Sequence, residues 1–365
     1  MKCLFRFCIR IIIQIEYIAL CLLTQKGNNI IQNLESCYCA SANEKINILT
    51  EFFGYDSKER IPEKIISHMG RKMKRLNNCL CSKKLSFYTN AACFNFEILY
   101  SDFILASNMS LIGMAGIDIY IYDDDHHWKG SISPMSIFNL KVKKKIELPK
   151  GMKRVDIYLP SYAVVGRMNV SCSKDCVIKR DRHDLVNRKI LIYGSSISQG
   201  CAASRPGLIY ANIINRKINC KVINLGFSES ALAQEEIVDY MSKADVWAYV
   251  IEYDHNASLT HLYKTHMNLY KKIREKNKEA MIIFISRISG GFSISTDEDN
   301  KRVSIIKGTV DEAIRNGDSN VKYICGRDLQ IDKESMLADD RHPNDYGMQI
   351  LANKIVEMLK DEKSM

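Results

Sequence analysis

Arg188-Lys-Ile-Leu-Ile-Tyr-Gly-Ser-Ser-Ile-Ser-Gln-Gly200 decides how this chain is read. Ile190 to Tyr193 form an apolar run with no polar alternation, the pattern of a strand buried on both faces. The run breaks into a turn rich in glycine and serine, and a helical segment, Leu208–Arg216, follows. A serine at a tight strand-to-helix turn exposes its hydroxyl near a helix N-terminus, where amide hydrogens favour a developing anion. The same loop composition can cradle a phosphate. Neither Gly-x-x-x-x-Gly-Lys-Ser/Thr nor Gly-x-Gly-x-x-Gly occurs in it, which argues against a nucleotide.

Downstream the strand-like texture repeats. Lys221–Leu225, Val246–Ile251, Met281–Ile285 and Val321–Cys325 are short apolar runs. Leu259–Glu275, Val303–Arg315 and Asn344–Leu359 between or after them have helical spacing. In the last, Gly347, Leu351, Ile355 and Met358 share one face. Strand–helix alternation of this kind predicts a parallel sheet covered by helices on both sides, with chemistry at the carboxyl ends of its strands. Upstream, from about residue 86 to 177, shorter segments read as β-strands: Leu85–Tyr88, Phe94–Tyr100, Ile117–Tyr122, Ser136–Val142, Arg154–Leu159 and Arg167–Ser171. Val155, Ile157 and Leu159 face one side, as in a half-buried strand. Many short strands at this spacing predict an antiparallel β-sandwich. The run Lys141–Lys145 reads as a solvated strand face. The expected domains are therefore 59–180 and 181–365, with 1–58 as an N-terminal extension.

Composition agrees. With 365 residues, 46% hydrophobic and 26% charged, the chain can build about two ordinary cores. That excludes a disordered, collagen-like or disulfide-stapled protein. Residues 1–180 hold 26 basic and 16 acidic side chains, against 26 of each in 181–365, so the net charge of +10 comes entirely from the first half. No aromatic interleaving or reading motif accompanies it, and no nucleic-acid partner is expected. The thirteen cysteines follow no metal-ligand rhythm and read as reduced thiols of a cytoplasmic protein. Asp123-Asp-Asp-His-His-Trp128 gathers carboxylates and imidazoles, but its place between two strands suits a polar hairpin loop better than a metal site. Lys2, Arg6 and Arg10 precede an apolar run, Ile11–Leu23, that resembles a secretory signal and would make the protein secreted. Gln14 and Glu16 interrupt the run, and it is too short to span a bilayer.

Three further segments complete the chemistry. Asn224-Leu-Gly-Phe-Ser228 and Glu252-Tyr-Asp-His-Asn256 close strands, and Asp339-Asp-Arg-His-Pro-Asn344 leads into the last helix. A serine becomes a useful nucleophile when a base takes its proton, an imidazole suits that task near neutral pH, and a carboxylate holds the imidazole in one tautomer. Asp339 and His342, three residues apart, can meet across one turn.

These segments resemble the conserved blocks of the SGNH/GDSL hydrolase superfamily over about residues 188–360. Ser196 aligns with the nucleophile, Gly226 with the glycine block, Asn256 with the asparagine block, and Asp339-x-x-His342 with the closing block. Gly116-Ile-Asp-Ile-Tyr120 is similar to the Gly-x-Asp-Leu-Tyr signature of a β-sandwich domain that precedes some of these serine esterases. The resemblance implies a flavodoxin-like three-layer α/β/α hydrolase domain behind a jelly-roll-like sandwich. It implies Ser196 attacking an ester carbonyl, His342 as base and Asp339 as its orienting partner. The backbone amides of Ser196 and Gly226 and the side-chain amide of Asn256 would form the oxyanion hole, with no metal or organic cofactor. An acyl ester, acetyl on a carbohydrate by analogy of layout, is the implied substrate. Ser195 departs from the usual Asp, and Tyr-Asp-His-Asn256 from the usual Gly-x-Asn-Asp. Glu229 stands where relatives commonly carry Gly, adding bulk and negative charge beside the oxyanion region. Arg205, just after the nucleophile loop, and Glu229 are candidate substrate contacts, and Asp118 and Tyr120 weaker ones. An acyltransferase using the same serine, or a carbohydrate-binding protein without activity, stays open as an alternative.

Overall fold

The computed structural model describes residues 38–39, 46–49, 59–122, 126–172, 176–181, 188–289 and 295–360. The apolar stretch 11–23 and the acidic residues 123–125 lie outside them.

Among the described residues the first half carries ten strands beside three short helices: β1 (Tyr38–Cys39), β2 (Ile46–Asn47), β3 (Lys84–Thr89), β4 (Cys93–Phe103), β5 (Ile117–Tyr122), β6 (His126–Ile132), β7 (Lys141–Glu147), β8 (Lys153–Tyr158), β9 (Ala163–Ser171) and β10 (Val177–Arg180). They form two antiparallel sheets, β1-β10-β3-β8-β5-β6 and β2-β9-β4-β7. Phe87, Ile119, Val155 and Ile157 of the first sheet meet Phe94, Ile98, Val165 and Met168 of the second in a shared core. Phe87 and Phe94 pack edge to face there, with ring centroids 5.7 Å apart. Each such fully buried side chain is worth roughly 1.5–3 kcal/mol of removed apolar surface. β1 and β2 belong to these sheets, pairing with β10 and β9, so the sandwich begins inside the stretch expected to be an extension.

One strand differs from its expected bounds. Ser136–Leu140 is not extended, and the strand runs over the lysine-rich Lys141–Glu147 instead. Among the described residues β7 pairs only with β4, at the sheet edge, so its lysines stay in water while Val142 and Ile146 pack inward. Charged side chains on an edge also discourage further strand pairing.

The outer face of the first sheet is not solvated. Asp118, Tyr120 and Tyr158 are buried against residues of the second half of the chain, and Asp156 is buried beside Lys84 and Arg154 of its own sheet. The Tyr158 hydroxyl donates to Asn215 Oδ1 at 2.7 Å, and the Arg216 guanidinium lies 4.5 Å over the Tyr120 ring.

That second half carries a five-stranded parallel sheet of β11 (Lys189–Gly194), β12 (Lys221–Gly226), β13 (Ala248–Glu252), β14 (Met281–Ile285) and β15 (Val321–Ile324), in the order β12-β11-β13-β14-β15. Alternate residues of each strand point to opposite cores. Leu191, Tyr193, Tyr249, Ile251 and Phe284 pack against helices Glu235–Ser242, Leu259–Lys276 and Thr296–Arg315. Ile190, Ile192, Val250 and Ile283 pack against Tyr210–Ile218 and Asp345–Lys360. The architecture is a three-layer α/β/α domain behind a β-sandwich. From β11 the chain passes to β12 on one side and returns to β13 on the other. The strand order therefore reverses beside β11, and ligands of open α/β sheets gather at such a point. Among the described residues no helix is long and apolar enough to cross a membrane.

Candidate active site

Gly194 ends β11 level with Gly226 of β12 and Glu252 of β13, so all three strand ends meet. A Cβ at Gly194 would press on Ser198 Oγ and the Glu252 backbone, which restricts the position to glycine. Ser195 then caps the short helix Ser196–Gln199, its hydroxyl accepting from Ile197 N at 3.1 Å. Gly200 ends the helix at φ +100°, a left-handed conformation that glycine adopts without strain. Ser196 is the first helical residue, and its N–H has no acceptor among the described residues.

The last block closes on this turn. Ser196 Oγ lies 2.8 Å from His342 Nε2, and His342 Nδ1 lies 2.7 Å from Asp339 Oδ2. The backbone N–H groups of His342 and Arg341 donate to Asp339 Oδ1 at 2.7 and 2.9 Å. Burial pushes the Asp339 carboxyl up, but these amides and the His342 ring outweigh it and hold the group down at about 2. Asp339 is thus a fixed anion facing Nδ1. The tautomer this favours carries its hydrogen on Nδ1 and leaves Nε2 free to accept the Ser196 proton. Asp340, beside it, pairs with Arg341 at 3.3 Å and takes no part.

Residues 187–360 match the GDSL-like lipase/acylhydrolase family, and residues 38–178 match the N-terminal domain of SGNH-hydrolase-type esterases. The chain belongs to the two-domain SGNH/GDSL acylhydrolases. A protein assigned as a GDSL-like lipase from Bacteroides ovatus has the same fold with a TM-score of 0.75 at 22% identity, covering 83% of this chain and 91% of its own. A salicylyl-acyltransferase from a tetracycline biosynthetic pathway superposes with a TM-score of 0.69 at 15% identity, covering 82% and 88%. A family two carbohydrate esterase from Clostridium thermocellum gives 0.58 at 14% identity, covering 78% and 93%. No curated protein matches the sequence.

Within this acylhydrolase two expected oxyanion donors are otherwise engaged. The Gly226 N–H donates to Asn224 Oδ1 at 2.8 Å. A Cβ at Gly226 would meet the backbone of Ser198 and Gln199, so this glycine lets the nucleophile helix lie against β12. The Asn256 side-chain amide donates to Phe227 O at 3.0 Å and Ala231 O at 3.2 Å, and its Oδ1 accepts from Glu229 N at 3.2 Å. Asn256 therefore clamps the 227–231 turn. Arg205 also departs from its expected place. Its Nη1 donates to Asp118 Oδ2 at 2.8 Å and to Tyr120 Oη at 2.9 Å, while its guanidinium lies 4.1 Å over the Trp128 ring. It joins the two domains. Glu229 occupies a left-handed backbone position, φ +53°, that favours glycine. Its side chain turns out to solvent and pairs with Lys72.

Several residues at the site carried no signal in the sequence. Arg60 donates from Nη1 to Gly226 O at 2.6 Å and stacks 4.1 Å over Phe227, tying down the end of β12. Glu252 lies buried under the nucleophile turn, accepting from the hydroxyls of Ser195 and Ser198, each at 2.8 Å. Burial pushes its carboxyl up to about 7 against the pull of those hydroxyls. The one hint was Ser195 itself, a serine where relatives place a carboxylate. Asn108, from the first domain, reaches Asp339. Among the described residues no group of three or more His, Cys, Asp or Glu is placed to hold a metal ion.

Proposed function

We propose that the protein is a serine esterase that releases small acyl groups, acetyl foremost, from hydroxyls of a carbohydrate. The single observation that carries this is the Ser196–His342–Asp339 relay at the sheet's switch point, with both contacts under 3 Å. Ser196 Oγ attacks the ester carbonyl and gives its proton to His342 Nε2. The oxyanion forms against the Ser196 N–H. As the carbon–oxygen bond to the sugar breaks, His342 returns the proton to the leaving alkoxide. Water then attacks the acyl-serine with the same base, releasing the acid and restoring Ser196. The acetyl-sugar assignment is supported by the layout shared with a family two carbohydrate esterase, which is a likeness of fold.

A negative charge at Glu229 facing the oxyanion would favour a binding protein without activity. Its carboxylate points outward to Lys72, so it does not oppose an oxyanion. A second reading, transfer of the acyl group to an alcohol in place of water, is favoured by the fold shared with the salicylyl-acyltransferase. The balance between the two depends on how well the site excludes water.

The test is release of acetate from p-nitrophenyl acetate by wild type beside Ser196→Ala, followed by a panel of acylated sugars with and without acceptor alcohols. Turnover that disappears in Ser196→Ala is expected. Equal turnover in both proteins refutes the mechanism, and acylated acceptor in place of free acid selects the transferase.

A further inference from the structure

Asn108 lies in the first domain, between β4 and the helix Leu111–Ala115, yet its side chain ends on the carboxylate of Asp339, 231 positions away. We infer that Asn108 is a positioning residue of the reaction, supplied by the sandwich domain to lock the Asp339–His342 pair. The inference rests on the serine-esterase reading above.

A carboxylate offers about four lone-pair sites. At Asp339, Oδ1 takes the backbone N–H groups of Arg341 and His342. Oδ2 takes the His342 ring at 2.7 Å and the Asn108 Nδ2–H at 2.7 Å. Every site is filled, and Asn108 provides the one donor that does not come from the Asp339–His342 turn itself. Asn108 Nδ2 also lies 3.1 Å from His342 Nδ1. In the tautomer that leaves Nε2 open, both atoms are donors, so this closeness reflects two donors converging on one oxygen.

The orientation of the amide follows from its other end. Cys201 Sγ lies 3.2 Å from Asn108 Oδ1, and burial pushes the thiol up to about 11, so it keeps its proton and donates. That places Nδ2 toward the carboxylate. Cys201 directly follows Gly200 at the end of the nucleophile helix, so Asn108 joins the serine side of the site to the carboxylate side. Its own segment is anchored. Ser110 caps the next helix by accepting from Gly113 N at 3.1 Å, and Gly113 packs so closely on the Ala203 backbone that a Cβ would not fit. The Asp339 side chain is 29% exposed, so water enters where Asn108 is removed. The carboxylate can then turn, and the imidazole loses its fixed aim at Ser196.

The test uses full-length protein and two readouts: labelling of Ser196 by a fluorophosphonate, and kcat and KM on p-nitrophenyl acetate from pH 5 to 10, each beside a thermal melt. Asn108→Ala is expected to fold, to keep KM within about threefold and to lose roughly 10- to 100-fold in kcat and labelling rate, the scale of a misplaced catalytic group. Asn108→Asp replaces the donor amide by an acceptor facing the Asp339 carboxylate and is expected to lower kcat and labelling rate at least as far as Asn108→Ala. Cys201→Ser, which keeps a donor, should retain more activity than Cys201→Ala. Wild-type kcat and labelling in Asn108→Ala, or a loss confined to KM, overturns the inference alone. Absence of Ser196 labelling in the wild type overturns the esterase reading and this inference with it.

Discussion

The Ser195 hydroxyl donates to the carboxylate of Glu252 at 2.8 Å, joining the residue before the nucleophile to a buried acid at the end of the neighbouring strand. Ser198 does the same from the other side of Ser196, and Tyr210 supports Ser198 at 2.8 Å. The turn that presents Ser196 is therefore braced from beneath by one carboxyl group.

That group makes stability depend on pH. Its carboxyl lies at about 7 in the fold against 4.5 as the ordinary value, so the folded state holds the proton more tightly. Its contribution is complete below about pH 4.5 and is lost as pH rises through about 7. Glu252→Gln keeps an acceptor for the serine hydroxyls and removes the titration. Urea midpoints at pH 5 and pH 8.5 should differ less in this variant than in wild type; equal differences would refute the account.

Asp339 has the opposite sign. Held down at about 2, it stays ionised well below the usual carboxylate range, and its contribution is present above its ordinary value of 3.8 and lost as pH falls through about 2. Activity lost between pH 4 and 6 is therefore not protonation of this carboxylate. Asp339→Asn should preserve the fold and lower kcat by about four decades, as expected when the imidazole is held in the wrong tautomer. A loss under tenfold would argue that another group orients His342.

Asp118 tests the role of the first domain's signature. Buried in the sandwich face, it accepts from Arg205 at 2.8 Å, from Gly207 N at 2.7 Å and from Trp128 Nε1 at 3.3 Å, and from Ser131 as well. Asp118→Ala leaves a half-buried guanidinium without its partner, and such a loss typically costs about 3–5 kcal/mol. Chemical denaturation should show that drop, with a fall in kcat because the 205–208 segment follows the nucleophile helix. Unchanged stability would mean that the domains are held by other contacts.

Glu229→Gly offers a milder outcome. Removing a side chain from φ +53° relieves about 1–2 kcal/mol of left-handed strain, offset in part by the extra freedom of glycine in the unfolded chain. The exposed pair with Lys72 contributes about 0–1 kcal/mol. Stability within about 1 kcal/mol of wild type and undiminished kcat are expected; a large loss of activity would give Glu229 a direct part in substrate binding.

Much of the molecule was legible before folding because its signals are local. The apolar runs at 190–193, 248–251 and 281–285 lack polar alternation because both faces of a parallel strand are covered. Leu351 and Ile355 recur at helical spacing because one stripe of the last helix is buried. The residues alone offered a serine at a strand-to-helix turn and an aspartate–histidine pair three positions apart; it was the family resemblance that singled out Ser196, Asp339 and His342. At β7 the solvated strand face Lys141–Lys145 was legible, but the strand was started at Ser136 instead of Lys141, because an edge strand pairs on one side only and its lysines need not alternate with apolar residues as a central strand's do.

Only tertiary structure decided what else touches that relay. Whether the Gly226 N–H is free depends on the Asn224 side chain, and whether Asn256 can donate depends on the carbonyls of Phe227 and Ala231. Arg205 faces Asp118, 87 positions back, and Asn108 meets an aspartate on the far side of the domain boundary. A hydrogen bond is satisfied by whichever partner the packed backbone brings within about 3 Å, and no spacing along the chain records that choice.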